Sequence, residues 1–355
     1  MSRFKYLAKR LLLSIPVVLF GTTITFVILR LGPISPAAAI AGKRGKRADY
    51  QQIKDRLGLD EPLWEQYIDF IFELFTLQFG KSWVIQPGQP AWELLGQYAP
   101  RTIWLGFWSV IIALFIGIPL GFYAGLHPNS WSDYFASFGG IIWRAMPNFW
   151  LAVILVSILS QSQQLFGFEW QNWIVETQIL TPPVLTFFNK PLHAFTNPWE
   201  WWIHPGNDGS FLAALKMIAP AALVLGSASM GNEMRIGRTA ILETKNSNYV
   251  DTAIAKGVSD RALIWKHMFR NAMIPLVPII TGEAFLLIGG SVLVETVFGI
   301  NGLGFLFFQA VINGDFPLVG SLVFVFIVLL VTINIIQDIL YTLIDPRVGY
   351  EGDPR

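Results

Sequence analysis

The side chains able to do chemistry in this sequence are sparse, and their spacing excludes more than it supports. Gly80-Lys81-Ser82 imitates the end of a phosphate-binding P-loop, but that loop needs a glycine five residues before its last one, where Phe75 stands. No strand, loop and helix pattern surrounds the triplet, so it is not expected to hold a nucleotide. The four histidines, His127, His193, His204 and His267, fall in separate loops without an i, i+4 pair, and cysteine is absent. No zinc site, thiolate nucleophile or disulfide framework is expected. The lack of a Ser-His or His-metal constellation speaks against a membrane-embedded hydrolase. What remains is three carboxylates in long apolar stretches: Glu283, Glu295 and Asp338. A carboxylate near mid-membrane is costly unless it meets water, cargo or a partner, so such acids are functional candidates. Glu283 is the candidate for lining a path, and proton coupling would need groups of this kind. Glu295 and Asp338 stand near the ends of their stretches, within reach of water, and are expected to hydrogen-bond in a gate.

The elements that must position these acids are membrane helices. Hydrophobic residues make up 53% of the 355-residue chain and charged residues only 14%, a membrane composition. The formal net charge of +1 predicts no whole-protein attraction for nucleic acid. A hydrocarbon core of roughly 30 Å needs about 20 apolar residues per helix. Runs of that kind lie near 11–31, 103–126, 138–160, 212–231, 273–297 and 317–341. The fold class is therefore an all-α polytopic membrane protein with six transmembrane helices. The first run follows Arg3, Lys5, Lys9 and Arg10 like a signal peptide, but it is too long for a signal core and no small-residue cleavage site follows. An uncleaved anchor is expected.

Positive charge sets the orientation. The N-terminal cations and the segment 232–272, with Arg235, Arg238, Lys245, Lys256, Arg261, Lys266 and Arg270, are separated by an even number of spans and fall on the cytoplasmic side, where Arg347 of the tail joins them. Both termini are then cytoplasmic. Lys43, Arg44, Lys46 and Arg47 oppose this bias from the outer side, but in a long loop of mixed sign, where the rule is weak; the inner loop 127–137 carries no Lys or Arg. Trp83, Trp92, Trp104, Trp108, Trp170, Trp173, Trp199, Trp201 and Trp202 gather where the outer interface belongs. Gly117, Gly121 and Gly125 form a stripe that admits another helix closely, expected to be one of this same chain.

Outside the spans, segment 32–102 predicts an amphipathic helix from Asp60, with Trp64, Tyr67, Ile68, Ile71, Leu74 and Phe75 on one face, lying on the outer bilayer surface. Segment 161–211 shows no sustained period and reads as a second outer loop of little regular structure, either a contact for an outer partner or a solvated linker. On the cytoplasmic side, Asn246, Ser247 and Asn248 offer caps for a short helix whose Tyr249, Val250, Ala253 and Ile254 share a face and which Gly257 closes. Ser259 can cap a second, basic helix over Arg261 to Asn271 that runs into the fifth span, with Pro275 just inside the bilayer. Such an elbow, joined covalently to a membrane helix, can pass on a push as rigid-body motion. A basic juxtamembrane helix resting on the lipid surface gives the same pattern.

At these residues the sequence resembles the permease subunits of binding-protein-dependent ABC importers, whose cytoplasmic signature is Glu-Ala-Ala, three residues, then Gly. Here Asp251-Thr252-Ala253-Ile254-Ala255-Lys256-Gly257 stands in that place. The form Tyr249 to Gly257, followed by His267 to Ala272, is similar to the dipeptide, oligopeptide and nickel permease branch. So are Arg56 to Tyr67, Gly80-Lys81-Ser82, Pro100-Arg101-Thr102, Val294 to Phe298 with Gly302-Leu303-Gly304, and Asp345-Pro346-Arg347. Asn301 replaces the usual proline, and the 161–211 loop is longer than typical.

The resemblance implies a type I ABC importer permease fold and a non-catalytic transport subunit that binds no cofactor. Its implied partners are a second, different permease, two ATPase subunits that hold ATP and Mg, an extracellular substrate-binding protein and the lipid bilayer, with no nucleic acid. It implies that Tyr249, Asp251, Thr252, Ala253, Ala255, Lys256 and Gly257 form the ATPase-coupling helix. Glu283, Glu295, Phe298 and Gly302 are the gate or path candidates. The chain divides into a cytoplasmic N-terminus and first span over 1–31, an outer loop with amphipathic helices over 32–102, and a five-span permease core over 103–341 that includes the coupling segment 232–272. A cytoplasmic tail over 342–355 follows. The expected cargo is a dipeptide or oligopeptide; nickel complexes and oligosaccharides occur in the same branch. The rival class, a secondary transporter or channel without ATP, would show internal repeats or polar residues along several spans, and neither is evident.

Overall fold

The computed structural model describes residues 3–32, 36–41, 47–56, 58–170, 196, 198, 211–283 and 292–344. Among them the chain is helical, with one isolated antiparallel bridge between Lys81 and Pro90. Four helices are long and apolar enough to cross a membrane: Ala8–Leu31, Ala91–Leu126, Ala214–Lys245 and Phe316–Leu340. Two bent pairs bring the total to six if each counts as one span: Trp131–Trp143 with Asn148–Ser160, at 97°, and Val292–Phe298 with Leu303–Asn313, at 93°.

In chain order the helices are α1 (Arg3–Leu31), α2 (Pro36–Ala41), α3 (Arg47–Arg56), α4 (Leu63–Phe75) and α5 (Ala91–Ile112), which continues through a π turn at Ala113–Gly117 into α6 (Ile118–Leu126). Next come α7 (Trp131–Tyr134), α8 (Gly140–Ala145), α9 (Asn148–Ser160), α10 (Ser162–Phe166) and the long α11 (Phe211–Lys245). The elbow holds α12 (Asn248–Ala255), α13 (Asp260–Ala262) and α14 (Phe269–Ala272), followed by α15 (Val277–Glu283), α16 (Val292–Phe298), α17 (Leu303–Asn313) and α18 (Phe316–Ile344).

The span boundaries differ from expectation where polar stretches stay helical. The second span begins at Ala91 rather than near 103, and the fourth runs on to Lys245, past the expected end near 231. The third bends ahead of Asn148, where Pro147 cannot continue the preceding helix. The fifth is not one helix over 273–297: a 3-10 turn at Ile274–Leu276 opens it, residues 284–291 lie outside the described residues, and α16 turns sharply into α17. Most of the outer segment 161–211, with Trp173, Trp199, Trp201, Trp202, His193 and His204, also lies outside them, as does the tail beyond Ile344 with Asp345, Pro346 and Arg347.

The glycine stripe packs within the chain. A Cβ on Gly117, Gly121 or Gly125 would stand 3.0, 2.2 and 2.7 Å from the backbone oxygens of Met230, Met234 and Arg238 on α11. The missing side chains let α6 and α11 touch backbone to backbone. Their shared core, with Ile118, Phe122 and Ile241, also takes in Val250, Ala253, Leu263, Met268 and Leu276 of the elbow and its exit. A second core joins Trp104, Leu105, Ile218, Leu225, Val294 and Ile300.

The amphipathic helix α4 begins at Leu63, not Asp60, and its apolar residues divide between two faces. Leu74 is buried with Val18 and Phe324, and the Tyr67 hydroxyl lies 2.7 Å from that of Thr23. Trp64, Ile68, Phe72 and Phe75 stay 62%, 54%, 61% and 46% exposed. That stripe is the face an interfacial helix offers to lipid.

Candidate functional site

The elbow opens where α11 ends. Ser247 adopts the extended backbone of an N-cap, but its hydroxyl donates to the Thr244 carbonyl at 2.5 Å and does not cap α12; Ser259 likewise makes no side-chain cap to α13. The C-terminal stop is as expected. Gly257 takes φ +74°, its N–H donates to the Ile254 carbonyl at 2.9 Å, and the Val258 N–H reaches back to Ala253 at 3.2 Å. This Schellman arrangement needs a left-handed residue at its closing position, which glycine adopts without a Cβ penalty.

The faces of α12 differ from the expected apolar set. Val250 and Ala253 are buried against α6, α11 and the second arm, whereas Tyr249 and Ile254 are exposed. The Tyr249 hydroxyl accepts from Asn271 Nδ2 at 3.1 Å, and the same amide donates to the His267 carbonyl at 2.9 Å, tying the two arms together. Asp251, Thr252, Ala255, Lys256 and Gly257 form, with Tyr249 and Ile254, an exposed patch. The second arm is partly π-helical, over Leu263–Met268.

Two contacts that nothing in the sequence marks anchor the neighbouring loop 127–137. The Arg238 guanidinium of α11 binds the buried Asp133 carboxylate through two nitrogens, one of them at 3.0 Å, while the Asn129 N–H donates to Asp133 at 2.9 Å. Lys245 Nζ donates to the Leu126 carbonyl at 3.1 Å. The loop without Lys or Arg is thus held by cations from α11.

At the other end stands Glu295. It is 0% exposed, so the expected water access is not there. Thr102 Oγ1 donates to Glu295 Oε1 at 2.9 Å and accepts from the Leu303 N–H at 2.7 Å, while the Phe305 N–H donates to Oε2 at 2.9 Å. The carboxyl group and the threonine together satisfy the first N–H groups of α17, which have no partners within the helix. A Cβ on Gly302 would stand 2.4 Å from Thr102 Oγ1 and 2.5 Å from Glu295 Oε2, so only glycine fits there. Phe298 is half-buried against the Trp104 and Ile218 core. Glu295 and Thr102 thus form a buried network that pins the bend between α16 and α17 to α5.

Glu283 sits apart from this network. Its Oε2 accepts from Ser229 Oγ at 2.8 Å, and Glu233 of α11, itself fully buried, is its neighbour. Ser227, Ser229, Asn232 and Glu233 form a polar run inside the fourth span, visible in the sequence as a break in an apolar stretch but not singled out there. Asp338 pairs with Arg10 at 2.9 Å and clamps α18 to α1.

The Gly80-Lys81-Ser82 triplet has a structural use. The buried Asp315 carboxylate accepts from Ser82 Oγ at 2.5 Å and from the N–H groups of Trp83, Val84 and Ile85, each at 3.0 Å. The loop makes an anion-holding nest and fills it with an acid of its own chain. Among the described residues, no three His, Asp or Glu side chains converge as a metal would need.

Comparison with known proteins adds the following. Residues 117–350 match the family described as the inner membrane component of binding-protein-dependent transport systems, and residues 2–97 match the N-terminal family of those membrane components. The chain is 32% identical over 345 residues to a dipeptide transport system permease protein of Alkalihalophilus pseudofirmus, covering 97% of this chain and 99% of that one. An oligopeptide transport system permease protein of Bacillus subtilis matches at the same identity and coverage. The dipeptide transport system permease protein of Escherichia coli is 30% identical over 355 residues, covering 98% and 99%.

Proposed function

This chain belongs to the family of inner membrane components of binding-protein-dependent transport systems, and on that premise we propose how it carries a peptide across. It is a multi-pass membrane permease with the type I ABC importer fold. In the proposed cycle a dipeptide or oligopeptide, delivered by an extracellular binding protein, crosses between this chain and a second permease. Two ATPase subunits beneath the pair hold ATP and Mg and supply the energy. Both termini lie on their side of the membrane.

The observation that carries the reading is the shared core of the elbow. Val250 and Ala253 are buried with Ile118 and Phe122 of α6, Ile241 of α11 and Leu276 at the start of the fifth span. Displacing α12 from below moves three membrane elements together, because close-packed interiors pass on a displacement and do not absorb it. Tyr249, Asp251, Thr252, Ala255, Lys256 and Gly257 then meet the ATPase surface. Glu295, Phe298 and Gly302 act in the outer gate, where the dry Glu295 and Thr102 network lets the α16 and α17 hairpin move as one piece. Glu283, with Ser229, faces the path.

Gly257→Val tests this. A Cβ there meets nothing within 4 Å, so the substitution acts through the backbone, since φ +74° is strained for a β-branched residue. In proteoliposomes holding the complete importer, ATP hydrolysis is expected to persist while peptide uptake per ATP falls about tenfold or more. Unchanged uptake per ATP would remove the elbow from the coupling role.

A further inference from the structure

On the outer side, α1, α4 and the start of α18 enclose a cavity of about 180 Å³ whose walls include Arg30, Phe70, Glu61, Asp69, Glu73 and Trp83. Its volume falls below the range of about 300 to 1,000 Å³ usual for drug-sized ligands, so it suits a smaller one. Its chemistry is of mixed sign: one guanidinium among three carboxylates and several aromatic rings. Arg30 Nη1 is shielded from solvent and has no hydrogen-bond partner among the described residues. The guanidinium carbon lies 5.9 Å from the centre of the Phe26 ring, which holds the side chain in place without using its N–H groups. A buried donor in that state favours an acceptor oxygen, above all a charged one.

The direction of access follows from α4. At about 100° per residue, its cavity-facing positions 66, 69, 70 and 73 lie roughly opposite the exposed apolar stripe of Trp64, Ile68, Phe72 and Phe75. With that stripe on lipid, the cavity opens away from the bilayer toward water. Asp69, Glu73 and Glu61 are exposed and stand on that side, whereas Arg30 is the inner, half-buried wall. Burial first and the neighbouring Asp69 second push the Glu73 carboxyl above its ordinary range, against a pull from Arg30, so the cation and the acids act on one another across the cavity.

We propose that this cavity binds a small water-borne zwitterion with a primary ammonium near a carboxylate, the chemistry of an amino acid or dipeptide, its carboxylate on Arg30 and its ammonium between Asp69 and Glu73. The site lies apart from Glu283 and the gate, and it rests on the permease reading only for the outward orientation of α4. It gives the permease a place to hold cargo-like solutes at its outer surface.

Dialanine binding to the complete assembly in nanodiscs, without binding protein, tests it by isothermal titration. Wild type is expected to bind dialanine, and Arg30→Gln and Asp69→Asn each to weaken binding about tenfold or more, the loss of one charge-assisted contact. Asp69→Asn alters an exposed side chain and keeps the test sound if Arg30→Gln folds poorly. The site is overturned if wild type does not bind dialanine, if both variants bind it unchanged, or if N-acetyl-dialanine amide or ethylammonium binds as well as dialanine. ATP-driven peptide uptake on the same samples separates the two claims. Uptake without dialanine binding at the cavity sinks the site and leaves the permease reading standing, whereas a complete assembly that takes up no peptide sinks the permease reading whatever the cavity binds.

Discussion

Thr102→Val removes one hydroxyl and keeps the shape of the side chain. That hydroxyl both donates to Glu295 and accepts from the Leu303 N–H, so the change strips two hydrogen bonds from a site where Thr102 and Glu295 are each 0% exposed. In water-soluble proteins each orphaned buried group costs about 1 to 3 kcal/mol. In membranes the measured average for an interhelical hydrogen bond is nearer 0.6 kcal/mol with a maximum of about 1.7, because the unfolded chain finds other partners in the bilayer. The membrane figure governs here, and two bonds give roughly 1 to 3 kcal/mol, about fivefold to 150-fold in the unfolding equilibrium. Thr102→Ser keeps both bonds and loses only a methyl group, about 0.8 kcal/mol. Thermal unfolding of the purified assembly in nanodiscs, followed beside leak of a small solute through the idle transporter, reads both consequences. Valine is expected to destabilise more than serine and to raise the leak by loosening the α16 and α17 hairpin. A valine variant as stable and as tight as wild type, or a serine variant worse than valine, would refute the argument that this hydroxyl pins the hairpin.

Asp315→Ala empties the nest that Ser82, Trp83, Val84 and Ile85 make, and limited proteolysis is expected to cut the 80–90 loop far faster than in wild type. Gly121→Val places side-chain atoms against the Met234 carbonyl, where even a Cβ would stand 2.2 Å away, so folded protein recovered from membranes should fall sharply. Glu283→Gln is expected to lower peptide uptake with little change in ATP hydrolysis; unchanged uptake would remove Glu283 from the path. Glu73 has its carboxyl raised from the ordinary value of 4.5 by burial first and by Asp69 second, with Arg30 opposing. Because the folded state favours the neutral acid, its contribution is present below the ordinary value and is lost as pH rises through the raised folded one. Hydrogen exchange in α4 should therefore quicken over that rise, and Glu73→Gln should abolish the dependence.

The apolar runs and the elbow's stop signal were read well, the expected Ser247 and Ser259 caps were not met, and long-range contacts were not legible. The elbow was legible because its stop signal, Gly257, and its neighbours lie within a few residues of each other, and the apolar runs revealed the spans by composition alone. The network at the bend between α16 and α17 was not legible: Thr102 and Glu295 are 193 positions apart, and nothing in either neighbourhood marks the other. Asp315 was hidden in the same way, its acceptor role depending on a loop more than two hundred residues away. Bends escaped as well. Hydrophobicity cannot tell a straight span from one broken at Pro147 or turned between Phe298 and Leu303, since both bury the same apolar residues. The α12 face was misjudged because helical period gives neighbours on a wheel, whereas the packing partners, here α6, α11 and the second arm, decide which of them are buried.

The chain contains no cysteine, so a single introduced thiol reports one position without background. Thr252→Cys on the exposed face of α12, in the complete assembly treated with a short thiol-to-amine cross-linker, tests most directly that this elbow meets the ATPase subunits. The account predicts an adduct with an ATPase subunit whose yield changes between nucleotide-free and ATP-bound states, and none from Trp64→Cys on the opposite, outer side. An intact assembly in which Thr252→Cys gives no ATPase adduct, or in which Trp64→Cys gives the same one, would contradict it.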